Sequence, residues 1–167
     1  SFNMAQPTLK WAGGKRQLLD SLHEVLPATY GSYHEPFVGG GALVFDLEPS
    51  VGIINDINTR LMNYYSVVRN YPERLIEKLR SFDDPESDVD PDRMFAETTH
   101  TGASVDCYYY QQRANYNRRP YGYNYDEIEE AALLQYLNRT CFNGLYRENQ
   151  SGGFNSPIGD YDNPDWV

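Results

Sequence analysis

A glycine-rich segment and a downstream acid could together bind a nucleotide-like ligand. In the segment Glu35–Gly41 (EPFVGGG) the three glycines follow a short predicted strand, and glycines there let a ligand approach the backbone closely. Asp56 ends the next predicted strand, where a carboxylate can accept hydrogen bonds from both hydroxyls of a ribose. The GxGxxG spacing of dinucleotide-binding loops is absent, so a smaller adenosine-type ligand such as S-adenosylmethionine (AdoMet) is favoured. The structural alternatives are an ordinary tight turn and a helix cap at Asp56.

A second segment, Lys10–Lys15 (KWAGGK), contains two of the three lysines in the chain. Its Gly-Gly turn, flanked by lysines and an aromatic ring, could place cations beside a carboxylate or a phosphate. The GxxxxGK[ST] spacing is not met, since arginine follows Lys15, and a phosphate-binding loop of that type is therefore excluded. An exposed turn near the amino terminus is the alternative.

A third segment, Asn138–Gly159, carries the residue types that read DNA bases. Asparagine, arginine and apolar residues are interspersed with glycines in NRTCFNGLYR and in GGFNSPIG, which predicts a hairpin centred on Gly144. An arginine can donate two hydrogen bonds to guanine, an asparagine can pair with adenine, and an apolar wedge can enter a base stack. The alternatives are an ordinary hairpin and a surface pair of Arg147 with Glu148 or another acid.

An α/β fold is expected to position these segments. The predicted elements are strands at 33–38 and 51–54, and helices at 42–47, at 59–70 and from 72 onwards. Asp126 is expected to cap a further helix from 127 to about 138, with Ile128, Ala131 and Leu134 on its inner face. The order strand, glycine turn, helix, strand, helix predicts a sheet with parallel strands.

Charge is distributed unevenly along the 167 residues. Twenty-four acids oppose 14 bases, for a net charge of −10, which alone disfavours binding to a phosphate backbone. Residues 81–106 hold eight acids and one base, whereas residues 107–125 hold no acid, three arginines and seven tyrosines. We therefore expect a lobe boundary near residue 80, a solvent-facing acidic stretch, and a DNA-facing segment at 107–125. The tyrosines of that segment could instead pack a core.

Several classes of protein are disfavoured by composition. The two cysteines form no CxxC or Cys/His array, so neither a disulfide framework nor a metal site is expected. No apolar run approaches the ~20 residues that span a bilayer. The acid-rich, lysine-poor composition also suits a cytoplasm with high salt, where surface carboxylates maintain solubility.

In order and content, Lys10–Lys15, Glu35–Gly41, Asn55–Asn58 and Asn138–Gly159 resemble the Dam-type (D12 class) adenine-specific DNA methyltransferases. The resemblance extends from Leu9 to about Pro164. It implies a Rossmann-like, AdoMet-dependent methyltransferase domain with a mainly helical DNA-recognition lobe and a hairpin. The implied reaction is methylation of N6 of a flipped adenine in duplex DNA, in restriction–modification or in regulation. The implied parts are an amino-terminal portion of the AdoMet-binding domain at 4–80 and a recognition lobe at 81–164, with its hairpin at about 141–159.

The functional residues of the family carry over residue by residue. The resemblance implies AdoMet binding by Trp11, Lys15, Phe37, Gly39, Gly41 and Asp56. It implies DNA binding by Lys10, Phe142, Asn143, Leu145, Arg147 and Pro157. In this scheme Phe142 and Asn143 fill or line the gap left by the flipped adenine. Lys10 reaches a base and Arg147 reads a guanine. From the acid-free segment, Arg118 and Arg119 are expected to contact phosphates.

The catalytic Asp-Pro-Pro-Tyr type motif of the family does not occur in the chain. Asn163–Trp166 lacks the second proline and matches the end of the recognition lobe, so it is not expected to be catalytic. Asp160 and Asp162 stand where the family usually has bases. The sequence thus predicts a methyl-donor half-site and a DNA-reading lobe without an adenine clamp, in a fragment that is inactive alone.

Two other functions stay open at this point. One is a non-catalytic module that binds DNA or AdoMet, and the other is a methyltransferase acting on proteins or small molecules. For the DNA methyltransferase, as for these alternatives, a monomer in the cytoplasm is expected.

Overall fold

The structure, a computed structural model, describes residues 5–87, 107–118 and 125–167. The helices in these residues are α1 (Leu19–Val25), α2 (Ala42–Leu47), α3 (Thr59–Asn70), α4 (Pro72–Arg80), α5 (Tyr108–Arg118) and α6 (Glu127–Thr140). In the same residues the strands are β1 (Tyr33–Glu35) and β2 (Gly52–Ile54), and 3₁₀ turns occur at Lys15–Leu18 and Phe142–Gly144. This mixture of helices with a small sheet fits the predicted α/β class. Within the described ranges, every helix is too short or too polar to cross a membrane.

The two strands form a parallel pair, as predicted. Tyr33 lies opposite Gly52, and the glycine loop and α2 connect the strands. β1 ends earlier than predicted because Pro36 has no N–H to donate to its neighbour. Beyond this interruption, Val38 N donates to Asn55 O at 2.8 Å. The glycine loop therefore remains tied to the chain that follows β2.

Helix boundaries follow from local signals in the sequence. The Asn58 side chain accepts hydrogen bonds from two backbone N–H groups of α3, each at 3.1 Å, which satisfies donors that the helix cannot pair itself. Pro72 begins α4, where its missing N–H costs nothing. The Asp126 side chain caps α6 through Ile128 N and Glu129 N, so the predicted cap is confirmed.

The centre of the hydrophobic core is α6. Helices α3, α4 and α5 all pack against it, and the predicted inner-face residues Ile128, Ala131 and Leu134 are buried. Residues on its other faces, such as Leu133 and Leu137, are buried as well, because three helices surround it. A helix enclosed in this way holds whatever is attached to its end in a fixed position.

The described residues on either side of position 80 share one hydrophobic cluster. Leu61, Tyr64 and Leu79 precede this position, and they lie in the same cluster as Leu134 and Tyr136 of α6. The division into residues 4–80 and 81–164 stays a prediction. Most of the acidic stretch, residues 88–106, lies outside the described residues.

The prediction that residues 107–125 face DNA is wrong for most of α5. Tyr109, Tyr110 and Tyr116 are at most 3% exposed, since α5 packs against both α6 and the segment near Ser156. Arg113 is also buried, and its Nη1 donates to Ser156 O at 3.2 Å. The alternative of a tyrosine-rich core is therefore correct for these residues.

Tyrosine burial predicts a loss of stability at alkaline pH. Burial raises the pKa of Tyr146 from 10 to about 12 and raises the pKa of Tyr109 and Tyr116 well above 10. Above pH 10 the unfolded chain releases these protons while the folded protein retains them, so the free energy of unfolding falls as pH rises. We expect the phenolate absorbance of these buried tyrosines to appear in one cooperative step, together with the loss of helical circular dichroism. Ionisation of all 15 tyrosines in a protein that keeps its helices would contradict this burial.

Candidate functional site

The glycine loop is a tight turn with backbone conformations that favour glycine. Gly39 and Gly41 have φ values of +52° and +81°, and a Cβ at Gly41 would lie 2.7 Å from Phe45 Cε2. Tyr65 OH donates to Gly39 O at 2.6 Å. Any side chain at Gly41 would therefore force Phe45 to move, in addition to straining the backbone.

The Asp56 carboxylate joins this loop to the segment that follows β2. Its Oδ2 accepts from Gly39 N at 3.1 Å and its Oδ1 accepts from Asn58 N at 3.0 Å. The helix-cap alternative for Asp56 is wrong, because Asn58 caps α3 instead. Each carboxylate oxygen retains a further lone pair, and the side chain is partly exposed. The group therefore has acceptor capacity left for a ligand.

Lys15 finds a carboxylate within the chain. Its Nζ donates to Glu35 Oε1 at 2.8 Å and to Phe37 O at 2.5 Å, while Tyr33 OH donates to Glu35 Oε2 at 2.5 Å. Burial, and next the bond to Glu35, raise the pKa of Tyr33 far above its ordinary value. These contacts fix the start of the glycine loop and leave the Phe37 ring 71% exposed beside it.

Trp11 lies between the glycine loop and the segment predicted to read DNA. Its ring stacks on Tyr146, with centroids 4.8 Å apart and planes inclined by 27°. On the loop side, a Cβ at Gly39 would lie 3.3 Å from Trp11 Cδ1, and a Cβ at Gly40 would lie 3.0 Å from Trp11 Cβ. Trp11, which is predicted to bind AdoMet, is thus in contact with both the glycine loop and the segment predicted to read DNA.

The segment from Cys141 to Ile158 folds back on itself, but its turn is not at Gly144. Its antiparallel bridges pair Cys141 with Ile158 and Glu148 with Phe154. The reversal comes after Asn149, whose Oδ1 accepts from Ser151 N and Gly153 N at 3.0 and 2.8 Å. The prediction that the hairpin turn is centred on Gly144 is therefore wrong, because the Asn149 side chain organises the reversal of the chain. Gly144 lies in a 3₁₀ turn instead.

The predicted base-contacting side chains lie on the exposed side of this segment. Phe142 and Leu145 are 52% and 41% exposed, and exposed Asn143 has a left-handed φ of +55°. Pro157 O accepts from Phe142 N at 2.9 Å, so the returning chain supports the turn. Exposed apolar groups on a supported turn are able to enter a base stack.

The Arg147 guanidinium is held from one side by Asn155. Its Nε donates to Asn155 Oδ1 at 2.9 Å and its Nη2 donates to Asn155 O at 3.4 Å. Glu148 instead accepts from Tyr146 OH at 3.0 Å, and no carboxylate of the described residues forms an ion pair with Arg147. The surface ion-pair alternative is therefore wrong for these residues, and the Nη1 donors point to no partner among them.

Lys10 lies against the same segment through Asn138 of α6. Asn138 Oδ1 accepts from Lys10 N at 2.9 Å, and its Nδ2 donates to Lys10 O at 2.8 Å. A Cβ at Gly144 would lie only 2.5 Å from Lys10 Cδ. The lysine stem therefore crosses the 3₁₀ turn directly.

The predicted phosphate contacts are less well defined. Arg118 is exposed at the end of α5, where its guanidinium donates to Ala114 O and Asn115 Oδ1 at 3.5 and 3.4 Å. Arg119 lies outside the described residues. A role for either residue at phosphates stays a prediction.

Two clefts border the predicted cofactor residues without enclosing all of them. The larger, of about 850 Å³, is lined by residues that include Lys10, Trp11, Gly40 and Arg139. The smaller, of about 350 Å³, is lined by residues that include Lys15, Tyr33 and Phe37. Asp56 lies outside both, next to Ile57, which is 92% exposed. The side of the sheet beyond β2 is therefore open.

The run Asn163–Trp166 has a packing role in the structure. Trp166 Nε1 donates to Leu79 O at 2.9 Å, and its ring meets the Tyr136 ring edge-on at 5.1 Å. Gln135 Nε2 donates to Trp166 O at 2.8 Å. These contacts anchor the run to the helical core.

Three residues that organise the site received no role from the sequence. Glu35, Asn138 and Tyr146 each act through partners far away in the chain. A polar residue within an apolar helix, as at Asn138, or an acid in a short strand, as at Glu35, signals a buried partner. Nothing in the sequence around Tyr146 indicates that its ring stacks on Trp11.

The family model of D12 class N6 adenine-specific DNA methyltransferases matches residues 11–167. The chain is 41% identical over 168 residues to the type II methyltransferase M.MjaIII of Methanocaldococcus jannaschii, covering 95% of the chain and 54% of that protein. It is 39% identical over 159 residues to the type II methyltransferase M1.LlaDCHI of Lactococcus lactis subsp. cremoris, covering 95% and 49%. It is 35% identical over 156 residues to the DNA adenine methylase of Escherichia coli K12, covering 93% and 48%. The chain spans about half the length of these curated relatives.

Proposed function

The chain belongs to the D12 class of N6 adenine-specific DNA methyltransferases, and from this premise we propose that its protein transfers a methyl group from AdoMet to N6 of adenine in duplex DNA. The observation that carries the proposal is the position of Trp11. One side of this residue packs on the glycine loop beside Asp56, and its ring stacks on Tyr146 in the segment proposed to read bases. In such an enzyme the methyl donor and the target base must meet. The contacts of Trp11 join the segment proposed to bind AdoMet to the segment proposed to read bases.

The residues of the donor site fit AdoMet. Asp56 retains lone pairs for the ribose hydroxyls, the glycine loop leaves its backbone accessible, and the exposed Phe37 ring offers an apolar surface for the adenine. Trp11, Lys15, Gly39 and Gly41 shape the loop. When bound, AdoMet supplies an electrophilic methyl group. The chain orients it through Asp56 and the loop, whose conformation Lys15 fixes through its contacts to Glu35 and Phe37 O.

The DNA-reading residues act by position and hydrogen bonding. Arg147 reads a guanine with the donors that Asn155 leaves unused, and Lys10 reaches a neighbouring base across Gly144. Phe142 and Asn143 fill or line the gap left by the flipped adenine, because such enzymes act on a base taken out of the stack. Leu145 and Pro157 support the neighbouring bases. Arg118 and Arg119 contact phosphates.

Part of the machinery lies beyond these 167 residues in this proposal. Acceptors for the adenine amino group come from the part of the protein that corresponds to the other half of its relatives. The uncovered sheet supports this view. Ile53 on β2 is 59% exposed and Val51 beside it is 58% exposed, and the two strands of the described residues are few for an α/β sheet. Further strands beside β2 would complete a Rossmann-like sheet.

We also propose the setting of the reaction. Duplex DNA is the partner, the protein acts as a monomer, and AdoMet and DNA meet in the cytoplasm. Two relatives bear the name type II methyltransferase, which favours a role in restriction–modification over regulation.

The experiment that tests the function compares acceptor classes. The full-length protein containing this chain is incubated with AdoMet labelled in its methyl group, together with duplex DNA, single-stranded DNA or an extract of proteins and small molecules. We expect label in duplex DNA above the other acceptors. Label in protein or small molecules alone would overturn the proposal, and AdoMet and DNA binding without transfer would favour the non-catalytic module.

A further inference from the structure

We propose that Asn138 is a positioning residue that sets the spacing between the Lys10 segment and the recognition turn Phe142–Gly144, and thereby sharpens base discrimination. The inference rests on the proposed function, since it takes Lys10 and this turn as the parts that contact bases. Asn138 itself is 1% exposed and so touches no DNA. Its effect would be exerted through the residues it holds.

The Asn138 amide clamps the Lys10 backbone in both directions. Its oxygen accepts from Lys10 N at 2.9 Å and its nitrogen donates to Lys10 O at 2.8 Å. The same nitrogen lies 3.5 Å from Gly144 O. One rigid group therefore contacts both parts of the predicted reading surface.

Close packing adds a second constraint on the same spacing. Besides the 2.5 Å approach to Lys10 Cδ, a Cβ at Gly144 would lie 3.2 Å from Lys10 Cβ and 3.3 Å from Lys10 Cγ. The lysine stem thus lies along Gly144, the residue between Asn143 and Leu145 in the chain. A small shift of the Lys10 backbone would displace its ammonium relative to both side chains.

The position of Asn138 explains why it can act as a fixed reference. It lies in the last turn of α6, and that helix is enclosed by α3, α4 and α5. Sites on such elements are held more closely than sites on loops, and base contacts depend on sub-ångström placement. Only an amide of this length offers one acceptor and one donor at the required separation, since aspartate lacks the donor and leucine lacks both.

The test uses the full-length protein with Asn138→Leu, which keeps the volume and removes the hydrogen bonds, and Asn138→Ser, which is smaller and polar. Gln135→Met is the matched control. Gln135 is a second buried amide on α6, but it binds Tyr64 OH and Trp166 O rather than the reading surface. For each protein, kcat/KM is measured on the preferred duplex and on its single-base variants, with the KM for AdoMet and the melting temperature.

We expect both Asn138 variants to lose about tenfold in discrimination at the base pairs nearest Lys10, equivalent to 1.4 kcal/mol. Their KM for AdoMet changes less than their base discrimination, because Asn138 contacts Lys10 and the recognition turn directly and is linked to the glycine loop only indirectly, through Trp11. Gln135→Met lowers the melting temperature but keeps the discrimination. Unchanged discrimination in both Asn138 variants, whatever their melting temperatures, would overturn the inference. A wild-type protein that methylates duplexes without discrimination would overturn the base-reading part of the proposed function, and the inference with it.

Discussion

Replacing Asp56 with alanine is expected to weaken AdoMet binding by about 1.5–3 kcal/mol, a loss of roughly ten- to 150-fold in affinity. The substitution removes the charged acceptor proposed for the ribose hydroxyls. It also releases Gly39 N, which donates to the carboxylate at 3.1 Å, so the glycine loop loses one of its ties. Calorimetric titration of the full-length protein with AdoMet measures the change.

The control for this prediction is Asn58→Ala, two residues along the chain. Asn58 caps α3 through Arg60 N and Leu61 N, and removal of such a cap costs about 1 kcal/mol of stability. The Asp56 carboxylate stays in place in this variant, so AdoMet affinity should be retained. Equal affinity in wild type and Asp56→Ala, or an equal loss in both variants, would contradict the assigned ribose contact.

Replacing Arg147 with alanine is expected to cost about 1–3 kcal/mol of discrimination at one guanine, while affinity for non-specific DNA stays nearly unchanged. Guanine is the base whose N7 and O6 accept two parallel hydrogen bonds from a guanidinium. Asn155 holds one edge of Arg147 at 2.9 Å, which orients the remaining donors before DNA arrives. Methylation rates of the full-length protein on every single-base variant of its preferred site measure the change.

Arg118→Ala is the matched control for this second prediction. Arg118 is also an exposed arginine, but it lies at the end of α5 and is proposed to contact a phosphate, so its loss should weaken binding alike on all sequences. A uniform loss in Arg147→Ala would instead make Arg147 a phosphate contact. If Arg147→Ala loses neither discrimination nor affinity, Arg147 is a surface residue without a role in DNA binding.

The helix bounds and the parallel strand pair could be predicted, because each depends on residues that are close together in the sequence. The bounds of α3 follow from Asn58 before it and Pro72 after it. The parallel pair and the loop between its strands follow from the order of apolar runs and glycines. The shorter β1 has a local cause as well, since Pro36 lacks the N–H that a longer ladder would need.

Long-range features of the site could not be predicted in the same way. The contacts of Asn138 with Lys10 and of Tyr146 with Trp11 join residues from opposite ends of the chain, and no periodicity encodes them. The acid-free composition around Arg113 indicated a DNA-facing surface, yet the helix is enclosed and the guanidinium binds Ser156 O. Composition gives the charge of a segment but does not indicate which neighbours will cover it.

The central claim is that this chain carries the donor loop and the base reader of an adenine N6-methyltransferase. Its most direct test is mass spectrometry of nucleosides from duplex DNA treated with the full-length protein and AdoMet carrying a deuterated methyl group. The account predicts labelled N6-methyladenine, and roughly 5- to 75-fold less label when Asp56→Ala is assayed at an AdoMet concentration near the wild-type Kd. Labelled cytosine, or DNA without label while the folded protein binds both AdoMet and duplex, would contradict it.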